Sequence, residues 1–145
     1  MYFEEFEMDM EWQLGEVEID REEALAFNHK YDIARVHIDE DYAKTTKFGD
    51  ILPQGTMTAM LLWKQWLQYK AQGDEFIAGT CCRMEWYAPV MSGDKLHGRA
   101  YVVEKEDRGP KNGRVCVRID GYNQNGKHVL SSFNHIIQKR KIAEK

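Results

Sequence analysis

With 145 residues, 43% of them apolar and 30% charged, the chain has the composition of one globular domain with room for a real core. A net charge of −4 argues against a nucleic-acid binder, which needs a concentrated basic face, but does not exclude an anionic small ligand, because local groups can outweigh the net sign. The longest uncharged run, Ile51 to Trp63, is too short to span a bilayer; the acidic start is no signal sequence; and three cysteines, two adjacent, form no disulfide framework, which together point to a reducing cytoplasm.

Residues 1–10 mix aromatics with acids and read as an extended arm. Trp12 to Ile19 is a strand whose alternation shifts register across Gly15, so a bend or bulge is expected there. Asp20 and Glu23 form a variant capping box that starts a helix running to about Lys30. Tyr31 to Ile38 reads as a short irregular loop. Asp39-Glu40-Asp41 opens a second short helix, with acids where the helix dipole favours them. Phe48-Gly49-Asp50 turns and Pro53 punctuates.

From Gly55 to about Tyr69 the chain runs helical. Met57, Ala59, Met60, Leu61, Leu62 and Trp63 leave almost no polar face, so this helix is expected to be buried on all sides. At 1.5 Å per residue it would span roughly 22 Å. Its start, Gln54-Gly55, offers no hydroxyl or carboxylate N-cap, which predicts first amides free to face a ligand. After Gly73 the period becomes two. Three alternating runs, around Cys82–Ala88, Leu96–Val103 and Arg114–Asp120, and a fourth at Lys127 to Lys139, predict four antiparallel strands in a meander; Asn125-Gly126 is the clearest hairpin signal. The expected fold is α+β, one domain over 1–145, with an antiparallel sheet wrapped around a long central helix.

Three features carry candidate chemistry. Asp32 and His37, a carboxylate and an imidazole on one loop, can share a water and move its proton. Spacing alone is weak support, since Asp-x4-His also fits a solvated loop. Gly55, at the uncapped helix start, can present a backbone amide to a developing oxyanion, or merely turn the chain. Met57, Met60, Trp63 and Trp66 read as core, with an acyl tunnel as the alternative. Cys81 and Cys82 read as buried and inert, one thiol per face. His29, His97, His128 and His135 lack metal-ligand spacing. Lys139-Arg140-Lys141 reads as a solvated basic run, with phosphate contact the alternative; Arg35 and Lys47 flank the candidate site in sequence.

The run from Phe27 to Ala43 resembles the hydratase 2 motif of MaoC-like (R)-specific enoyl-CoA hydratases, in which an aspartate is followed five residues later by a histidine, then an acid, then a small residue. Phe48 to Met57 is similar to that family's turn into its central helix, and Tyr87 to Leu96 to its Pro-Val…Gly-Asp strand pair. The resemblance implies a hot-dog fold. It implies that Asp32 and His37 activate water for addition across a trans-2-enoyl-CoA, that the Gly55 amide binds the thioester oxygen, and that an (R)-3-hydroxyacyl-CoA results, or the reverse. Gln54, Thr56, Met57 and Arg35 are expected at the substrate. No cofactor is expected beyond coenzyme A as part of the substrate. A homodimer is expected with the cleft at the subunit interface. The chain departs from the family pattern at Ala34-Arg35, where Asn-Pro is usual, at Tyr31, where a small residue is usual, and at Gln54, where histidine is usual. These departures give the alternative of a non-catalytic acyl-CoA-binding subunit beside an active hot-dog partner. A thioesterase recruiting Glu23 or Asp41 is a further alternative.

Overall fold

The computed structural model describes residues 1–142; the last three positions of the expected domain lie outside it. Five strands, β1 (Glu11–Glu18), β2 (Phe76–Trp86), β3 (Lys95–Asp107), β4 (Asn112–Tyr122) and β5 (His128–Lys139), form one antiparallel sheet in the order β1-β3-β4-β5-β2. Four helices, α1 (Arg21–Tyr31), α2 (Arg35–Ile38), α3 (Glu40–Thr45) and α4 (Gly55–Leu67), occupy the stretch between β1 and β2. The sheet wraps α4, the hot-dog arrangement that the resemblance implied. The register shift in β1 falls between Leu14 and Val17, at the expected glycine. A Cβ on Gly15 would lie 2.9 Å from the Gln65 side chain, so the bulge also admits α4.

Only β3-β4-β5 is a meander; β2 pairs with β5 at the far edge. Tight turns fix their neighbours, whereas the longer link at residues 87–94 carries the chain across the sheet. A period of two identifies a strand but not its partner.

The core lies between α4 and the inner sheet face. Met57, Thr58, Ala59, Leu62 and Trp66 are the buried residues of α4, and Leu96, Ala100, Val102, Val115, Val117, Ile119 and Leu130 complete the core from the strands. A Cβ on Gly121 would stand 2.5 Å from Leu62, so the glycine lets the helix settle onto β4. The helix is not buried all round: Met60 is 50% exposed and Leu67 36%. One sheet can cover only one side of a helix, and the outer side is open within a single chain.

The N-terminal segment is not an extended arm. Phe3–Glu5 make a 3-10 turn, and Phe3 and Phe6 are buried. The terminal amino group donates to the Ala71 carbonyl and to Glu75, each at 2.9 Å. The basic run at the other end helps to hold this segment down: Arg140 pairs with Glu4 and Asp107, and Lys141 with Glu5. Arg140 and Lys141 are thus ion-paired rather than merely solvated, and Lys139 Nζ donates to the Asp74 carbonyl at 3.0 Å. Cys81 and Cys82 are exposed, not buried, because β2 is an edge strand.

Candidate active site

The expected loop at 31–38 is largely helical. Asp20 caps α1 by accepting from the Glu23 amide, and Asp32 closes it by donating its backbone N–H to the Asn28 carbonyl at 2.8 Å. The Asp32 side chain then accepts from the Ala34 amide at 3.3 Å, and this short turn restarts the chain as α2. Four residues carry too little periodicity to announce a helix. The turn nonetheless sets His37 two positions into α2, facing back to Asp32.

Asp32 Oδ2 lies 3.3 Å from His37 Nε2. On its other side His37 Nδ1 is 2.6 Å from the Leu52 carbonyl oxygen. A carbonyl can only accept, so Nδ1 carries a proton and Nε2 is the nitrogen presented to Asp32. The bond from the Ala34 amide and then that from the Gln54 side chain hold the Asp32 carboxyl below its ordinary range; burial pushes the other way, and the neighbouring His37 adds a smaller pull downward. The carboxyl is therefore ionised at neutral pH. The His37 side chain is 12% exposed and that of Asp32 32%, so the pair is enclosed on one side and open on the other.

Gln54 corrects the expectation of an uncapped helix. Its side-chain oxygen accepts from the Thr56 amide at 2.5 Å and from the Thr56 hydroxyl, while its Nε2 donates to Asp32 Oδ2 at 3.2 Å. A long amide can fold back to cap as a short Asn does, a route that N-cap preferences do not reveal. The Gly55 amide, at the first helical position, has no intrahelical acceptor to reach. The Trp86 indole lies on Gly55: its Nε1 donates to the Gly55 carbonyl at 3.1 Å, and a Cβ on Gly55 would stand 2.5 Å from the ring. A cavity of about 440 Å³ opens beside this contact, lined by Phe48, Leu52, Gln54, Gly55 and Trp86 among others.

The remaining expected residues divide. Asp32, His37, Gln54 and Gly55 come together. Thr56 is tied to Gln54. Met57, expected at the substrate, is 4% exposed within the core cluster. Arg35 pairs with Asp39 at 3.2 Å and lies over the Tyr42 ring. The cavity beside Gly55 is lined by Gln54 and Gly55 but by none of Asp32, His37, Glu23 and Asp41; Asp32 and His37 join its wall through the Gln54 side chain. Among the described residues no three His, Cys, Asp or Glu side chains are grouped as metal ligands, and no helix is long and apolar enough to cross a membrane.

Sequence reasoning missed Asn28. It is fully buried, donates to the His37 carbonyl at 2.9 Å and the Leu52 carbonyl at 3.2 Å, and accepts from the Gln54 amide at 3.2 Å. The available signal was its place four residues after Ala24, on the buried stripe of α1, where a polar side chain needs partners. Trp86 was missed as well, because nothing in β2 tells which indole meets a glycine on another element.

The model of the MaoC like domain matches residues 6–122. The chain belongs to the MaoC-like domain family. At the coarse level this makes it a protein of hydratase and dehydratase type. It is 26% identical over 141 residues to the uncharacterized protein YdeM of Bacillus subtilis (strain 168), covering 97% of this chain and all of that one. The crystal structure of a MaoC-like dehydratase from Rhodospirillum rubrum superposes with a TM-score of 0.83 at 23% identity, over 97% of this chain and 98% of the other. The unliganded R-hydratase PhaJ1 from Pseudomonas aeruginosa gives 0.70 at 24% identity, over 99% and 92%.

Proposed function

We propose that the protein adds water to, or removes it from, a trans-2-enoyl/3-hydroxyacyl thioester of coenzyme A type, with (R) stereochemistry. The observation that carries this is the Asp32–His37 pair, 3.3 Å apart, tied through Gln54 to the start of α4. The shared fold with a dehydratase and an R-hydratase supports it.

An ionised Asp32 accepts a hydrogen bond from water, and His37 Nε2 offers a second contact, so a water bridging them is oriented while the carboxylate stays free to take its proton. The water oxygen bonds to C3 as one of its protons passes into the pair. The electron pair of the C2–C3 double bond moves onto the thioester oxygen, where the Gly55 amide and the positive end of α4 stabilise the charge. The proton held by the pair returns to C2 from the same side, giving net syn addition of water. Dehydration runs the same steps backwards.

The open edge of β2 and the open outer side of α4 support a homodimer. Pairing there would enclose the cleft, and sedimentation at micromolar concentration tests it: a monomer alone would count against the dimer. The decisive assay is turnover of purified protein on trans-2-enoyl-CoAs of graded length, following loss of enoyl absorbance and the chirality of the product. Formation of an (R)-3-hydroxyacyl thioester is expected. Release of free coenzyme A instead, or no turnover on any chain length, overturns the reading.

A further inference from the structure

We propose that Gln54 is a positioning residue of this site, fixing the Asp32 carboxylate against the first turn of α4, with Asn28 as the buried anchor of the same frame. This rests on the function proposed above.

The groups that must cooperate come from three separate segments. Asp32 ends α1, His37 sits on α2, and Gly55 opens α4. Little within those segments fixes them to one another. A four-residue helix holds no stable geometry alone, and α2 has no side-chain N-cap. Gln54 bridges the longest gap, since one side chain binds Asp32, 22 positions away, with its nitrogen and the Thr56 amide with its oxygen. The distance between the carboxylate and the Gly55 amide is thereby set by one rigid planar group. The backbone amide of Gln54 is in turn held by Asn28 Oδ1.

Asn28 also sets the imidazole. Its Nδ2 donates to the Leu52 carbonyl, the acceptor that His37 Nδ1 uses, and to the carbonyl of His37 itself. One carbonyl has two lone pairs, so both bonds coexist and the acceptor cannot rotate away. Full burial of Asn28 makes each of these bonds costly to lose. The chain carries Ala34-Arg35 after Asp32, with no side-chain amide there, and Asn28 and Gln54 supply two from elsewhere.

A neutral amide suits this task. A lysine or arginine at position 54 would neutralise the carboxylate, and a second carboxylate would repel it. The groups around Asp32 are the Ala34 amide, the Gln54 side chain and His37. Arg35 is paired with Asp39, and Lys30 lies against the Tyr31 ring.

The test compares wild type with Gln54→Glu and Asn28→Ala. Gln54→Glu is nearly isosteric and keeps an oxygen for the Thr56 amide, so the helix cap survives. Its new charge should raise the Asp32 titration midpoint, read by carboxyl-carbon NMR, and move the acid limb of the rate profile upward. It should also lower kcat about 100-fold with KM little changed, the signature of lost alignment rather than lost binding. Asn28→Ala should weaken the His37 Nδ1 proton signal in nitrogen-resolved NMR; if that variant does not fold, Gln54→Glu decides alone. An Asp32 midpoint and a kcat both unmoved in Gln54→Glu overturn the proposal. If wild type turns over no enoyl thioester, the hydratase reading falls, while the Asp32 midpoint still decides whether Gln54 positions that carboxylate.

Discussion

Among the described residues a carboxylate lies beside a histidine twice. Asp32 faces His37 at the start of α4. On the opposite face of the sheet Asp120 lies 3.5 Å from His128 Nε2. By residue type the second cluster looks richer, for it adds Ser131, Tyr101 and Arg118. Its bonding makes it inert. Asp120 accepts from Ser131 Oγ at 2.5 Å, Arg118 Nε at 2.9 Å and Tyr101 Oη at 2.6 Å. His128 Nε2 lies 3.0 Å from the Leu130 carbonyl and 2.9 Å from Ser131 Oγ; a carbonyl can only accept, so this nitrogen carries its proton and is not a base for Ser131, whose hydroxyl donates to Asp120. His128 is also packed between the Tyr87 and Tyr122 rings. Asp120 is 4% exposed. A saturated carboxylate stabilises a fold, whereas one with an open side can take a water.

The largest expected effect separates the two directly. Asp32→Asn should cut enoyl-thioester hydration about 10³-fold, the scale of a lost proton-transfer group, with little change in melting temperature. Asp120→Asn should leave turnover per folded molecule intact and cost stability. That cost is about 2 kcal/mol, because the buried carboxylate loses charged and neutral donors while its Arg118 partner keeps some solvent. Chemical denaturation and steady-state rates on both variants give the comparison. A turnover loss in Asp120→Asn without unfolding would break it.

Acid should sharpen the contrast. Burial pushes the Asp120 carboxyl up, but the bonds from Ser131, Tyr101 and Arg118, with the charge of Arg118, outweigh it and leave it below its ordinary range. A depressed folded-state value contributes stability above the ordinary carboxylate range, and that contribution is lost as pH falls through the folded value. Unfolding free energy measured between pH 7 and pH 2 should therefore decline less steeply at the acid end in Asp120→Asn than in wild type. Asp32 is shifted in the same direction, so hydration should persist to pH values below the ordinary aspartate range before its acid limb appears.

The sequence made one of these regions legible and hid the other. Periodicity announced α4 and the strands, and the glycine of β1 announced its bulge. The resemblance around Asp32 and His37 picked out the residues that come together. The place of β2 was not legible, since pairing depends on a crossover that alternation does not encode. Nor was α2, whose single turn depends on the Asp32 side chain. Asn28 escaped, and Gln54 was expected at the substrate without its bonds to Asp32 and Thr56, because these roles lie largely in contacts to segments 9 to 26 positions away. Asp120 escaped for the same reason: its donors lie on β3, β4 and β5, and only the sheet register aligns them.

The smallest effect tests the saturation argument itself. Burial, then the bond to Asp120, pushes the Tyr101 hydroxyl up to about 12, so it is a proton donor throughout the working range. Tyr101→Phe removes one donor from Asp120 Oδ2 and keeps the ring. The expected loss is about 1 kcal/mol at pH 7, the scale of one net hydrogen bond. The same change raises the Asp120 carboxyl toward its ordinary value, so the deficit should shrink as acid protonates Asp120 in both folded and unfolded chains. A deficit that stays constant from pH 7 to pH 3 would show that the hydroxyl acts by packing alone, and that Asp120 is less completely bonded than its geometry indicates. Hydration at Asp32 should not change in either case, because Asp120 and Tyr101 are bonded to each other and to none of the groups around Asp32.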